Sequence, residues 1–130
     1  MPGRREREFA ADSRAPAAAR TFVREASGHV LDRSVPPAVC DDLELIVSEL
    51  VTNAVRAGST IVHVTVEQVG DALAVHVRDD AGGWPEERNS HIDDPGGRGL
   101  PLISAVSSRW GVRLSGDGKV VWAELQLAVS

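Results

Sequence analysis

The chain is 130 residues long, enough for one ordinary domain, and 42% hydrophobic against 25% charged residues favours a packed core over disorder. Fourteen basic and nineteen acidic side chains leave a net charge of −5, which argues against a general nucleic-acid binder, since such a protein offsets phosphates with clustered cations. A single cysteine, Cys40, excludes an internal disulfide and a thiolate metal cage, and no apolar run approaches the ~20 residues of a membrane helix.

The charged start lacks the apolar stretch of a secretory signal, so the chain reads as a soluble, cytoplasmic domain with residues 1–6 as an unstructured tail. Residues 7–11 suit a short edge strand. Ser13 can cap a helix over residues 13–27, with Pro16 tolerated in its first turn. Gly28 and Pro36-Pro37 then bracket a linker. A second helix covers residues 38–56, with Leu43, Ile46, Val47, Leu50, Val51 and Ala54 on one apolar stripe and Gly58 as its stop.

Two strands follow, residues 61–67 and 72–79, joined by Gly70-Asp71, a hairpin signal. Residues 80–101 hold eight Gly or Pro among twenty-two, and so breaker-rich a loop in a small domain points to function. Residues 100–108 read as a third helix. Strands at 110–114 and 120–127, joined through Ser115-Gly116-Asp117-Gly118, close the chain. The order predicts an α+β two-layer sandwich, a mixed, mostly antiparallel sheet covered on one face by helices. Of the basic residues 13 are Arg and one is Lys, Lys119, and Tyr is absent. That bias fits a GC-rich bacterial gene, so arginine content alone is no sign of phosphate binding.

Three places break the pattern of a bland domain. On the second helix Glu49, Asn53 and Arg56 form a polar stripe, with Asn53 about 20° from Ile46 on the wheel, where an aliphatic side chain is expected. An Asn one turn from a Glu can ligate Mg²⁺ through its carbonyl while the carboxylate orients or deprotonates a hydroxyl. The bland alternative is a boundary Asn paired with Glu49 or Thr52. At the end of the second of the two strands, Asp79 falls in the inward row of Leu73, Val75 and Val77, which suits a hydrogen bond to a ligand amino group. The alternative ends the strand one residue early and turns Asp79 into solvent. Third, Gly96-Gly97-Arg98-Gly99-Leu100 precedes a helix, where glycine amides and an arginine can meet phosphate oxygens, or simply form a hinge. It is neither a P-loop nor a GxGxxG motif. The four histidines have no metal-ligand spacing, His63 and His76 reading as neighbours on the polar face of the hairpin. Cys40 reads as structural, and Trp84 either covers a ligand or packs the loop.

In order and spacing these segments resemble the boxes of the GHKL ATPases, the superfamily of gyrase, histidine kinases and mismatch-repair ATPases with the Bergerat ATP-binding fold. Residues 49–54 resemble the N box, residues 79–83 the G1 box, residues 97–100 the G2 box and residues 118–125 the closing strand. The resemblance spans about residues 9–127 and is nearest to the stand-alone anti-sigma factor serine kinases. It implies ATP and Mg²⁺ as ligands and ATP-dependent phosphorylation of a serine or threonine. By position it gives Glu49 the role of general base and Asn53 that of Mg²⁺ ligand, with Arg56 at the nucleotide. It makes Asp79 the acceptor of the adenine amino hydrogen, with Gly83 admitting the purine. Gly97, Arg98, Gly99 and Leu100 fall in an ATP lid over residues 80–99, expected to be mobile when empty and ordered by nucleotide.

The resemblance also implies partners: an anti-anti-sigma (STAS) protein as acceptor, a sigma factor that competes for the kinase, and a homodimer, with no direct nucleic-acid or membrane contact. The chain is too short for the phospho-acceptor helices of a full sensor kinase. Two departures stand out. Ala81 replaces a usual Gly, and Val120 replaces a common Thr whose hydroxyl supports the adenine site. They motivate a second reading, a nucleotide-dependent partner-binding module that transfers no phosphate.

Overall fold

The computed structural model of the chain describes residues 3–31, 34–81, 99–116 and 118–127, with only the backbone described for residues 99–102. Eight elements follow in order among these residues: β1 (Arg4–Ala10), α1 (Ala15–Leu31), α2 (Pro37–Arg56), β2 (Ile61–Val69), β3 (Ala72–Asp79), α3 (Gly99–Val106), β4 (Arg109–Ser115) and β5 (Gly118–Gln126). The strands make one sheet in the order β1-β2-β3-β5-β4, and all four pairings are antiparallel.

Period-two alternation decides which face each side chain takes. Val62, Val64 and Val66 of β2, Leu73, Val75 and Val77 of β3, and Val121, Ala123 and Leu125 of β5 are buried in the core. On the helical side, Leu43, Ile46, Val47, Leu50, Val51 and Ala54 of α2 meet them at a spacing of three and four. Each such Val, Leu or Ile contributes about 1.5–3 kcal/mol by leaving water. α1 lies over β1 and β2, whereas α2 lies over β3 and β5 with α3 against it. Arg24 grips Glu44 with two nitrogens, at 3.1 and 2.7 Å, and Arg20 donates to Ser48 Oγ at 2.8 Å, so the two long helices are fastened along their polar edges.

Some boundaries differ from the sequence expectation. Arg4–Glu6 do not form a tail, because β1 begins at Arg4 and pairs with β2 from Arg4↔Glu67 to Ala10↔Ile61. Their alternating charges obscure a strand whose burial is slight. Gly28 lies inside α1, whose inward row Ala19, Val23, Ala26 and Val30 runs straight past it. Asp12 rather than Ser13 braces the entry to α1, its carboxylate accepting the Arg14 N–H at 2.9 Å, and that bond holds the Asp12 carboxyl below its ordinary range. Gly58 adopts φ +88°, which lets the chain leave α2 and turn into β2. No helix among the described residues is long and apolar enough to cross a membrane.

Candidate functional site

The inward row of β3 ends in a charge. Asp79 follows Leu73, Val75 and Val77 on the helix-covered face, belongs to the strand and is 6% exposed, so it does not turn into solvent. A buried carboxylate needs donors. Asp79 Oδ1 accepts the Ala81 N–H at 3.0 Å and lies 3.0 Å from Lys119 Nζ. The next residue behaves differently: Asp80 is exposed, and its carboxylate accepts the Thr60 N–H at 2.8 Å and the Thr60 hydroxyl. The Thr60 hydroxyl is the main cause holding the Asp80 carboxyl below the usual range. Of the two adjacent aspartates, one therefore faces the interior and the other ties down the start of β2.

Lys119 reaches Asp79 because the strands are in register, Asp79 opposite Lys119. Gly118 makes the approach close enough, since a Cβ there would overlap the Asp79 carbonyl oxygen. The lysine was visible in the sequence as the first member of the inward row Lys119, Val121, Ala123 and Leu125, where a cation has no place without an anion beside it. Val120 requires a correction in turn. It lies opposite Arg78, not Asp79, and lines a depression on the uncovered face of the sheet. The residue at 120 therefore removes nothing from the Asp79 side.

On α2, Glu49 and Asn53 are half-buried and Arg56 is exposed at the last turn. Among the described residues neither the Glu49 carboxylate nor the Asn53 amide is engaged by a side-chain partner, so the expected bland pairing of Asn53 with Glu49 or Thr52 is not made. Two hard oxygen donors one helical turn apart fit Mg²⁺, which takes one or two protein oxygens and completes its octahedron from phosphate and water. Among the described residues no three His, Cys, Asp or Glu side chains gather into a metal site of their own. The buried carboxylate of Asp79 in turn fits an amino donor on a base. Gly99 and Leu100 open α3, while Gly83, Gly97, Arg98 and nearly all of the lid span lie outside the described residues.

A depression of about 230 Å³ sits on the opposite, uncovered face of the sheet, edged by His63, Thr65, His76, Arg78, Arg113 and Val120. It does bring His63 and His76 together, as the hairpin predicted, but the sheet separates it from the Asp79 carboxylate. Cys40 also follows expectation: burial is the first cause that pushes its thiol up, and Sγ is 3.5 Å from Glu44 Oε2.

Residues 9–125 match the family model of the histidine kinase-like ATPase domain. The chain belongs to that family. As a histidine kinase-like ATPase it shares the GHKL fold with three solved structures that are each under 25% identical. A structure of the RsbU and RsbW domains of a Mycobacterium tuberculosis protein matches with TM-score 0.69 and 20% identity, over 95% of this chain and 32% of that one. The histidine kinase domain of a blue-light activated kinase from Erythrobacter litoralis matches with TM-score 0.56 and 22% identity, over 86% of this chain and 61% of that one. The histidine kinase AdeS of Acinetobacter baumannii gives 0.55 and 14%, over 95% and 68%. This ATPase domain thus spans about a third of the first of these chains. A search of curated proteins returns no match to it.

Proposed function

We propose that the chain is an ATP-dependent protein kinase that phosphorylates a serine or threonine of a separate STAS-domain protein and sequesters a sigma factor. The observation that carries the nucleotide part is the buried Asp79 carboxylate at the end of the inner strand β3, fixed by Ala81 and Lys119. An acceptor so placed reads an exocyclic amino group and rejects a carbonyl oxygen. The RsbW domain among the structural neighbours supports the anti-sigma class over the sensor kinases, as does the resemblance of the motifs.

In this reading Asp79 accepts from the adenine amino group and Gly83 lets the purine approach. Gly97, Arg98, Gly99 and Leu100 contact the phosphates at the start of α3, where helix amides favour anions. Arg56 adds positive charge at the end of α2. Asn53 holds Mg²⁺ against the triphosphate, and the ion supplies charge neutralisation there. Glu49 takes the proton from the acceptor hydroxyl as its oxygen bonds to the γ-phosphorus, and ADP leaves with the electron pair of the broken P–O bond.

Calorimetric titration with Mg-ADP tests the site. The wild type is expected to bind and Asn53→Ala to bind at least ~10-fold more weakly, a loss typical of a charge-assisted contact. Transfer of a labelled γ-phosphate to a STAS-domain acceptor then tests the chemistry, with Glu49→Ala expected to bind nucleotide yet lose transfer by ~100-fold or more. Wild type that binds nucleotide and labels no acceptor overturns the kinase and leaves the nucleotide-dependent docking module.

A further inference from the structure

We propose that Lys119 reads the base together with Asp79, its ammonium donating to ring nitrogen N1 of adenine while the carboxylate accepts from the neighbouring amino group. The inference rests on the adenine-nucleotide reading above and adds a second recognition element to it.

Placement is the first argument. Asp79 and Lys119 are directly opposite in the β3–β5 ladder, both on the helix-covered face, with side chains 4% and 1% exposed. Lys119 is the residue of β5 whose ammonium reaches the carboxylate, at 3.0 Å, whereas the side chain of Val120 lies on the far face. Chemistry is the second. A carboxylate only accepts and an ammonium only donates, three times over. Held about one hydrogen-bond length apart, they offer an acceptor beside a donor. The adenine edge offers the matching sequence, an amino donor beside the N1 acceptor. Guanine in the same pose sets a carbonyl oxygen against the carboxylate and an N–H against the ammonium, so both contacts turn repulsive.

The division of labour within the carboxylate fits. The Ala81 N–H and Lys119 both reach Oδ1, which leaves Oδ2 for the ligand amino group. Energetics are the third argument. An enclosed ion pair gives little net stability, because desolvating two charges offsets their attraction, so stability is a weak reason for the pair to exist. A flexible four-carbon stem lets the ammonium adjust to a bound base without moving the strand.

The test compares ADP with 1-deaza-ADP, in which a C–H replaces N1, by calorimetric titration of the full chain. The wild type is expected to prefer ADP by at least ~10-fold, the usual worth of a hydrogen bond from a charged donor. Lys119→Met is expected to bind the two within ~2-fold, and Lys119→Arg to recover part of the preference. A readout without any variant is available, because Lys119 is the sole lysine of the sequence. Its ammonium nitrogen gives one side-chain NMR resonance, expected to shift with ADP and not with 1-deaza-ADP. Equal binding of both ligands by the wild type, or a preference that survives intact in Lys119→Met, overturns the proposal while leaving the adenine site standing. A wild type that binds no ADP overturns the nucleotide reading and this inference with it.

Discussion

The enclosure of Asp79 and Lys119, 4% and 1% exposed, sets what a substitution there costs. Removing the lysine of this buried pair leaves the Asp79 carboxylate without that counter-ion, at about 3–5 kcal/mol. Lys119→Met is therefore expected to shift the urea unfolding midpoint down by that equivalent, and the double change Asp79→Leu with Lys119→Met to recover most of it. Gly118→Ala is expected to cost at least ~2 kcal/mol in the same assay, because the new Cβ meets the Asp79 carbonyl and the two strands must part. At this scale the sequence was half legible. Alternation with Val75 and Val77 points Asp79 inward, while Lys119 is hidden within a segment, residues 118–125, that matches a family motif as a whole. Strand register brings the two together across 40 positions, and no local pattern carries that.

Elements were legible where apolar spacing was strong and obscure where punctuation residues argued against it. Gly28 reads as the start of a linker, yet Val30 and Leu31 bury the same side of α1 beyond it. An added Cβ there meets nothing within 4 Å, so Gly28→Ala is expected to stabilise the helix by about 0.5–1 kcal/mol, seen as a raised thermal midpoint. The uncovered face of the sheet supplies a pH dependence. Burial is the first cause that lowers the His76 pKa from 6.5, with Glu67 opposing it and Arg113 and Arg4 adding to it. The unfolded chain then binds more protons than the native one between the native pKa and 6.5, so stability falls as pH drops through that window and levels off below it. His76→Gln is expected to flatten that part of the stability–pH curve, measured by urea unfolding between about pH 7.5 and 5.

For the molecule as a whole, the two-layer arrangement is legible in the sequence. Helical and alternating periods follow one another cleanly, and the two hairpins, β2–β3 and β4–β5, each turn on a glycine, Gly70 at φ +58° and Gly116 at φ +62°. The edge strand β1 begins three residues before its expected start, since charges on both its faces hide its alternation. A ligand that binds only the folded state must raise stability globally. Mg-ADP at ~100 times its Kd is expected to add about 2.7 kcal/mol, a rise of roughly 10 °C in Tm for a domain of this size. Asn53→Ala is expected to show a much smaller rise at the same concentration.

The sheet order also imposes a sequence of events during synthesis. β3 lies between β2 and β5, and β5 leaves the ribosome after β3 and β4. A nascent chain that has released Asp79 still lacks Lys119, so its carboxylate has neither counter-ion nor neighbouring strand on that side. Helices can form and dock early, but the inner half of the sheet must wait for residues 118–126. The Asp79–Lys119 pair thus arrives in one step when β5 joins the sheet, and on the proposed adenine reading bound nucleotide would mark a chain whose sheet is finished.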